Sequence, residues 1–247
     1  MTPILTRIDA FCDAVPRARA TATDDGPLRL FLPDGPGHPL YARPVPGATV
    51  TAADVTRVRA RQRAAGVPEA FEWVHAAAPT MDAAVREAGL AVHVCPLLVL
   101  DGPAVAAEGV RLLGADDPDL VDALHAVALV GAAAFGAPAP DAPGPDAVAA
   151  ARAGLASGRT AMALVTGPDG PLAAGQVQRA GDVAELVGIG TVPAARGRGL
   201  GGAVTAALAG ATDADLVFLA AGSADATRVY ERVGFRQVGE CGVAEPA

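Results

Sequence analysis

The 247-residue chain predicts a mixed α/β fold, a sheet with helices against it, and three observations carry that prediction. Short β-branched apolar runs alternate with alanine-rich stretches whose apolar residues recur at helical spacing. Residues 103–247 read in order as strand, helix, helix, three strands, helix, strand, helix, strand. Within them, residues 183–210 pass from an apolar strand through a glycine and arginine loop into a helix.

Each element has its own signal. Residues 28–32 and 40–42 read as short strands around the turn formers Pro33, Asp34, Gly35, Pro36 and Gly37. Residues 51–65 read as a helix capped by Thr51, with Val55, Val58 and Gln62 on one face and Arg57, Arg59, Arg61 and Arg63 forming a solvated one. Residues 71–74 read as a strand, 80–88 as a helix and 90–100 as strand material broken by Pro96. Residues 105–113 read as a strand and 118–135 as a helix, with Asp117 as its cap, Pro118 at its first position, and Pro138 and Pro140 stopping it. An exposed Pro/Ala connector follows over 136–145, then a helix over 147–158. Residues 160–166 and 172–179 form a hairpin with a longer loop at Gly167 to Pro171. Residues 183–192 make a strand buried on both faces, ended by Pro193; 216–220 is the next strand, 223–233 a helix and 235–243 the last strand.

A net charge of -8 and a pI near 4.9 argue against nucleic acid, which needs a broad basic surface, and suit a cationic amine. Cys12, Cys95 and Cys241 are too scattered for a disulfide framework or a metal site, so no metal is expected. The N-terminus lacks the basic and apolar blocks of a signal peptide, and a cytoplasmic location is expected. The uncharged stretch 123–140 reads as an ordinary helix, because a membrane span takes ~20 apolar residues with basic or aromatic anchors.

The loop Arg196, Gly197, Arg198, Gly199, Leu200, Gly201, Gly202 has the composition of an anion site. Glycines let backbone N–H groups converge, the helix start adds partial positive charge, and the arginines add full charges. Gly197, Gly199 and Gly202 also spell a dinucleotide fingerprint. That reading fails on context: Pro193 to Arg198 intervene between strand and helix, and the next strand ends in Ala221, Gly222 and Ser223 with no acidic residue for a ribose. No Gly-Lys-Ser/Thr is present, which excludes a P-loop.

The pattern Arg196-x-x-Gly199-x-Gly201 behind Thr191-Val192-Pro193 closely resembles the pyrophosphate loop of the GNAT superfamily of acyl-CoA-dependent acyltransferases. Ala226-x-x-x-Tyr230-Glu231-Arg232-Val233-Gly234-Phe235 resembles the same family's next motif. The resemblance implies a GNAT fold with a mostly antiparallel central sheet, acetyl-CoA as cosubstrate, and direct attack by an amine in a ternary complex. It implies that Gly197, Gly199, Leu200, Gly201 and Gly202 hold the pyrophosphate with Arg196 and Arg198 near the phosphates. Ile189, Gly190 and Thr191 would offer backbone to the pantetheine, and Ser223 stands where many relatives carry an Asn touching the CoA arm.

Two residues carry the expected chemistry. Tyr230 is the candidate acid, since a phenol of pKa ≈ 10 can protonate a departing thiolate. Glu185 is the candidate base; on a regular strand it shares a face with Val187, Ile189 and Thr191, and a backbone N–H near Val187 is expected to polarise the carbonyl. A non-catalytic acyl-CoA sensor or scaffold is the alternative, and the presence of both residues favours the enzyme. The acceptor is expected to be a small-molecule or peptide amine, with no nucleic acid or membrane partner, the protein acting as a monomer or homodimer. Phe71, Glu72 and Trp73 are single candidates for acceptor contacts.

Residues 84–90 weakly match 229–235 and suggest an internal duplication. The expectation is a degenerate GNAT-like half over 1–102 and a catalytic half over 103–247. The first half lacks the Arg-x-x-Gly-x-Gly loop and has Val85 at the tyrosine position, so it should not bind CoA; its expected part is to help frame the acceptor site.

Overall fold

A computed structural model describes residues 1–35, 40–105 and 107–247. The chain forms two compact units, one of Met1–Leu97, Ala220–Ser223 and Gln237–Ala247, the other of Leu98–Leu219 and Ala224–Arg236. The end of the last strand joins the first unit, where it pairs with the strand at Phe71–Val74.

The first unit opens with a helix that the sequence reading missed, α1 at Pro3–Ala14, capped by Thr2, whose side chain accepts from the Leu5 N–H. A small antiparallel sheet follows, β1 (Ala20–Asp25), β2 (Leu28–Pro33) and β3 (Arg43–Pro44). The strand expected at 40–42 is reduced to a bridge from Ala42 to Phe71, and Pro36 and Gly37 of the expected turn lie outside the described residues. Helix α2 (Ala52–Ala64) starts in a capping box between Thr51 and Asp54. Its Val55, Val58 and Gln62 are buried, while its arginines pair outward, Arg57 and Arg61 with Asp25, Arg59 and Arg63 with Glu69.

After β4 (Phe71–Val74) and α3 (Met81–Glu87), β5 (Ala91–Leu100) runs unbroken through Pro96. Proline removes one donor but leaves its carbonyl, which accepts from the Ala221 N–H at 2.9 Å, so the strand survives. The core of this unit gathers Phe71, Trp73, Val55, Val58, Met81 and Val85. Beside it the buried Arg43 guanidinium binds Glu72 at 2.6 Å and Asp9 at 3.2 Å. Phe71 and Trp73 are fully buried and Glu72 is ion-paired, which places these acceptor candidates in structural roles.

Trp73 stands opposite Gly242 in the pairing of β4 with the last strand, and a Cβ there would sit 2.3 Å from the indole. Gly242→Ala is expected to cost about 1–3 kcal/mol, the usual range for overpacking a core. Urea denaturation checks it; an unshifted midpoint would mean that the indole has room to yield.

The second unit carries β6 (Arg111–Leu112), α4 (Leu120–Phe135), α5 (Pro145–Ala156), β7 (Thr160–Gly167), β8 (Gly170–Ala180), β9 (Val183–Thr191), α6 (Leu200–Gly210), β10 (Leu216–Ala220), α7 (Ala224–Val233) and the start of β11 (Phe235–Glu245). Strands β6 to β9 pair antiparallel in sequence, and β10 runs parallel to β9. The sheet is thus mixed and mostly antiparallel, with helices flanking it. The strand expected over 105–113 shrinks to β6, with Ala106 outside the described residues. Helix α4 begins later than expected: Asp119 stands at its cap without a side-chain bond, and Asp117 accepts instead from the Gly114 N–H and pairs with Arg111. Helix α5 starts earlier, with Pro145 at its first turn, and the β7–β8 hairpin is tight, Gly167 lying opposite Gly170. Among the described residues no helix is long and apolar enough to cross a membrane.

Candidate functional site

The site grows out of one irregularity in β9. Its pairing with β8 slips, Val187 facing Gln176 but Gly190 facing Ala174, so β9 carries one extra residue. Gly188 absorbs the kink with φ 62°, a conformation that an L side chain resists. A single inserted residue exchanges the faces of everything after it. Glu185 and Val187 consequently share a face with Gly190, where α4 comes so close that a Cβ on Gly190 would sit 2.7 Å from the Ala134 Cβ. Ile189 lies on the opposite face with Val204 and Leu208 of α6, around Gly175. The common face expected for Glu185, Val187, Ile189 and Thr191 is therefore split by the bulge.

A second feature opens the sheet. Strands β9 and β10 are paired from Val183 to Glu185 and from Leu216 to Phe218, then part, although β9 continues to Thr191. Past Glu185 the β9 edge towards β10 is left without that partner, and Glu185 itself marks the apex of the fork. Its side chain is half-buried.

Beyond β9, Pro193–Ala195 form a single turn of tight helix, and the loop enters α6. Gly199 is the cap residue, left-handed with φ 77° and with no side-chain bond to the helix start. The first N–H groups of a helix lack internal partners, so those of Leu200, Gly201 and Gly202 face the adjoining cleft with the helix dipole behind them. The first turn of α6 lies next to α7, Gly202 facing Val229 and Val233.

The cleft has a volume of about 800 Å³. Of the expected donor-binding residues, Ile189, Gly190, Thr191, Arg196, Gly197, Gly199, Leu200, Gly201 and Gly202 line it. So does Tyr230, 9% exposed, its ring tilted against Phe235 at 6.4 Å between centroids. Burial pushes the Tyr230 phenol above its usual value, so it stays protonated at neutral pH. Glu185, Arg198 and Ser223 are not among the lining residues, and Ser223 is grouped with the other unit.

Sequence reasoning missed two contributions. The end of α4 supplies Ala134 and the 66%-exposed Phe135 to the cleft wall. Arg196, expected near phosphates, turns its guanidinium to backbone oxygens, donating to the Ala134 carbonyl at 3.0 Å and the Thr191 carbonyl at 3.4 Å. It thus caps the C-terminal end of α4, where carbonyls lack helical partners and favour a cation. Only the small residue Gly190 permits the close approach of α4, a signal that the sequence carries without its meaning.

The residues present fit a bound pyrophosphate: a glycine cradle without Cβ atoms, three helix-start N–H groups, and the pathway of the unpaired β9 edge leading to them. Among the described residues no group of three or more His, Cys, Asp or Glu side chains could hold a metal ion.

Comparison with known proteins bears on the fold. Residues 162–243 match the family model described as FR47-like protein. No curated protein matches the chain. Among solved structures, the chain is similar to a GCN5-related N-acetyltransferase from Kribbella flavida, with TM-score 0.72, 22% identity and coverage of 100% of this chain and 97% of that one. It is also similar to a putative GNAT acetyltransferase from Novosphingobium aromaticivorans, with TM-score 0.57, 21% identity and coverage of 93% and 96%. A tandem GNAT protein from the clavulanic acid biosynthesis pathway gives TM-score 0.50 at 17% identity, covering 88% of this chain and 78% of that one.

Proposed function

From its GNAT fold we propose that this chain is an acyl-CoA-dependent N-acyltransferase that moves an acetyl group from acetyl-CoA to an amine. The observation that carries the proposal is one cleft holding both the glycine cradle at the start of α6 and the buried phenol of Tyr230. When bound, acetyl-CoA supplies an activated thioester carbonyl. The N–H groups of Leu200, Gly201 and Gly202 hold its pyrophosphate, and the β9 edge at Ile189 to Thr191 pairs with the pantetheine amides. Val187, beside the bulge, offers its N–H to the carbonyl oxygen.

Glu185 and Tyr230 divide the proton work. Glu185, at the apex of the fork and on the α4 face, accepts the ammonium proton of the acceptor directly or through water. Tyr230 sits on α7 beside α6, on the opposite face, and donates its hydroxyl proton to the departing thiolate. In this reading Glu185 acts from the apex of the fork, outside the cleft lining, and Tyr230 from within the cleft. Residues 1–102 belong to this reading as a GNAT-like half that lacks the donor loop, and the enzyme works in the cytoplasm on a small-molecule or peptide amine.

The test is a screen of amines with acetyl-CoA, detecting free CoA thiol. Turnover with at least one amine is expected. Tight acetyl-CoA binding without thiol release on any amine would make the chain a sensor, and absence of binding would remove the donor assignment.

A further inference from the structure

Cys12, Cys95 and Cys241 are far apart in sequence, and the first unit holds all three. Each carries a thiol. Strand β5 lies next to β11 in the sheet. The Asp101 N–H donates to the Gly234 carbonyl at 2.9 Å, and farther back along β5 the Cys95 carbonyl accepts from the Cys241 thiol at 3.7 Å. Moving back along one strand thus moves forward along the other, so the pair is antiparallel, with Cys95 and Cys241 across from each other on one face. Residues so placed have Cα atoms about 4.5–5.5 Å apart, inside the range of about 4.4–6.8 Å that a disulfide spans.

Helix α1 covers this face. A Cβ on Gly239, two residues before Cys241, would sit 2.9 Å from the Leu5 side chain, and Cys12 follows Leu5 on the same stripe of α1, within electrostatic reach of Cys241. The hydrogen bond from the Cys241 thiol pulls the Cys95 thiol below its usual value, and His93, two residues back on the same strand face, adds to this against the effect of burial. The same contact and burial push Cys241 up. Glu72 opposes both thiolates, but Arg43 holds its carboxylate at 2.6 Å. One sulfur is thereby readied as a nucleophile and its neighbour keeps a proton.

We propose that Cys95 and Cys241 form an oxidation site for a small peroxide, Cys95 reacting first and Cys241 closing the disulfide. The Cys95 sulfur attacks one peroxide oxygen; the S–O bond forms, the O–O bond breaks, and the departing hydroxide leaves as water with the proton that Cys95 gave up. The Cys241 sulfur then attacks the Cys95 sulfur. The S–S bond forms, the S–O bond breaks, and the hydroxyl leaves with the Cys241 proton as a second water. The thiol pair loses two electrons and the peroxide gains them. Access selects the oxidant: with Cys95 7% and Cys241 3% exposed, a molecule little larger than water can reach the sulfurs and a bulky disulfide cannot.

Hydrogen peroxide added to the reduced full-length chain, followed by thiol titration after unfolding and by peptide mapping, tests the site. The wild type is expected to lose two of its three thiols and to yield a single cross-link, Cys95 to Cys241. Cys95→Ser should form no disulfide. Cys241→Ser should stop at a sulfenic acid on Cys95, which dimedone captures, and Cys12→Ser should oxidise as the wild type does. Retention of all three thiols under peroxide would overturn the site, as would a cross-link that contains Cys12 or one that is lost in Cys12→Ser. Glutathione disulfide is expected to leave Cys95 and Cys241 untouched; a mixed disulfide on Cys95 would overturn the assignment to peroxide. Mapping on the wild type decides the pair even where a serine variant fails to fold, and every readout is independent of acyl transfer.

Discussion

Tyr230→Phe is expected to lower turnover by about 10²- to 10⁴-fold, the usual contribution of a positioned acid, while acetyl-CoA binding persists. The substitution removes one oxygen and keeps the ring that packs on Phe235, so the cleft wall and the fold survive. Steady-state kinetics with a competent amine, paired with calorimetry, separates the two effects. Unchanged turnover would take Tyr230 out of the mechanism. The pH profile gives a second reading of the same group. Burial raises the Tyr230 pKa, so the alkaline fall in kcat should lie above the ordinary phenol range and vanish in the variant. The sign for stability is the same: a raised folded pKa adds stability that is complete below the unfolded value of about 10 and is lost as pH rises through the folded one.

Gly199→Glu is expected to abolish CoA binding with the helix retained. Gly199 is left-handed with φ 77°, so any L residue there costs about 1–2 kcal/mol. A carboxylate at the cap position of α6 recovers part of that, because negative charge at a helix N-terminus is favourable. The same carboxylate lies where the proposed function seats the pyrophosphate, and two like charges about 4 Å apart at a partly screened site repel by ~4 kcal/mol, or roughly a thousandfold in affinity. Gly199→Ala shares the backbone strain without the charge and should lose far less. Equal CoA affinity in Gly199→Glu and wild type by calorimetry would place the pyrophosphate elsewhere.

The glycine-rich start of α6 was legible because its requirements are local. Gly197, Gly199, Gly201 and Gly202 around Arg196 announce a helix start without side chains, and nine of the expected donor residues do line one cleft. Tyr230 was legible through its motif spacing on α7. Glu185 was named from its strand, yet its face could not be read, because the inserted residue at Gly188 reverses the alternation and nothing in the residues up to Val187 signals the reversal. Arg196 shows the same limit. Its charge does not announce the hydrogen bond it makes to the end of α4, 62 residues away in sequence.

The misreadings elsewhere have a similar origin. Pro96 looked like a strand break, and the acceptance of the Ala221 N–H by its carbonyl keeps β5 whole. Asp117 looked like a helix cap, and Arg111 with the Gly114 N–H draws it away. Trp73, a candidate for acceptor contact that reads more readily as core, is fully buried beside Phe71, and Glu72 pairs with Arg43.

By itself the sequence determined the order of strands and helices, the glycine cradle that starts α6 and the phenol two elements later, since helix starts, strand runs and motif spacing act over a few residues. Tertiary structure alone decided the fork after Glu185, the face of each β9 side chain, the engagement of Arg196 and the return of the last strand to the first unit. These depend on pairing register and on packing between distant segments, where one inserted residue or one missing Cβ changes which groups meet.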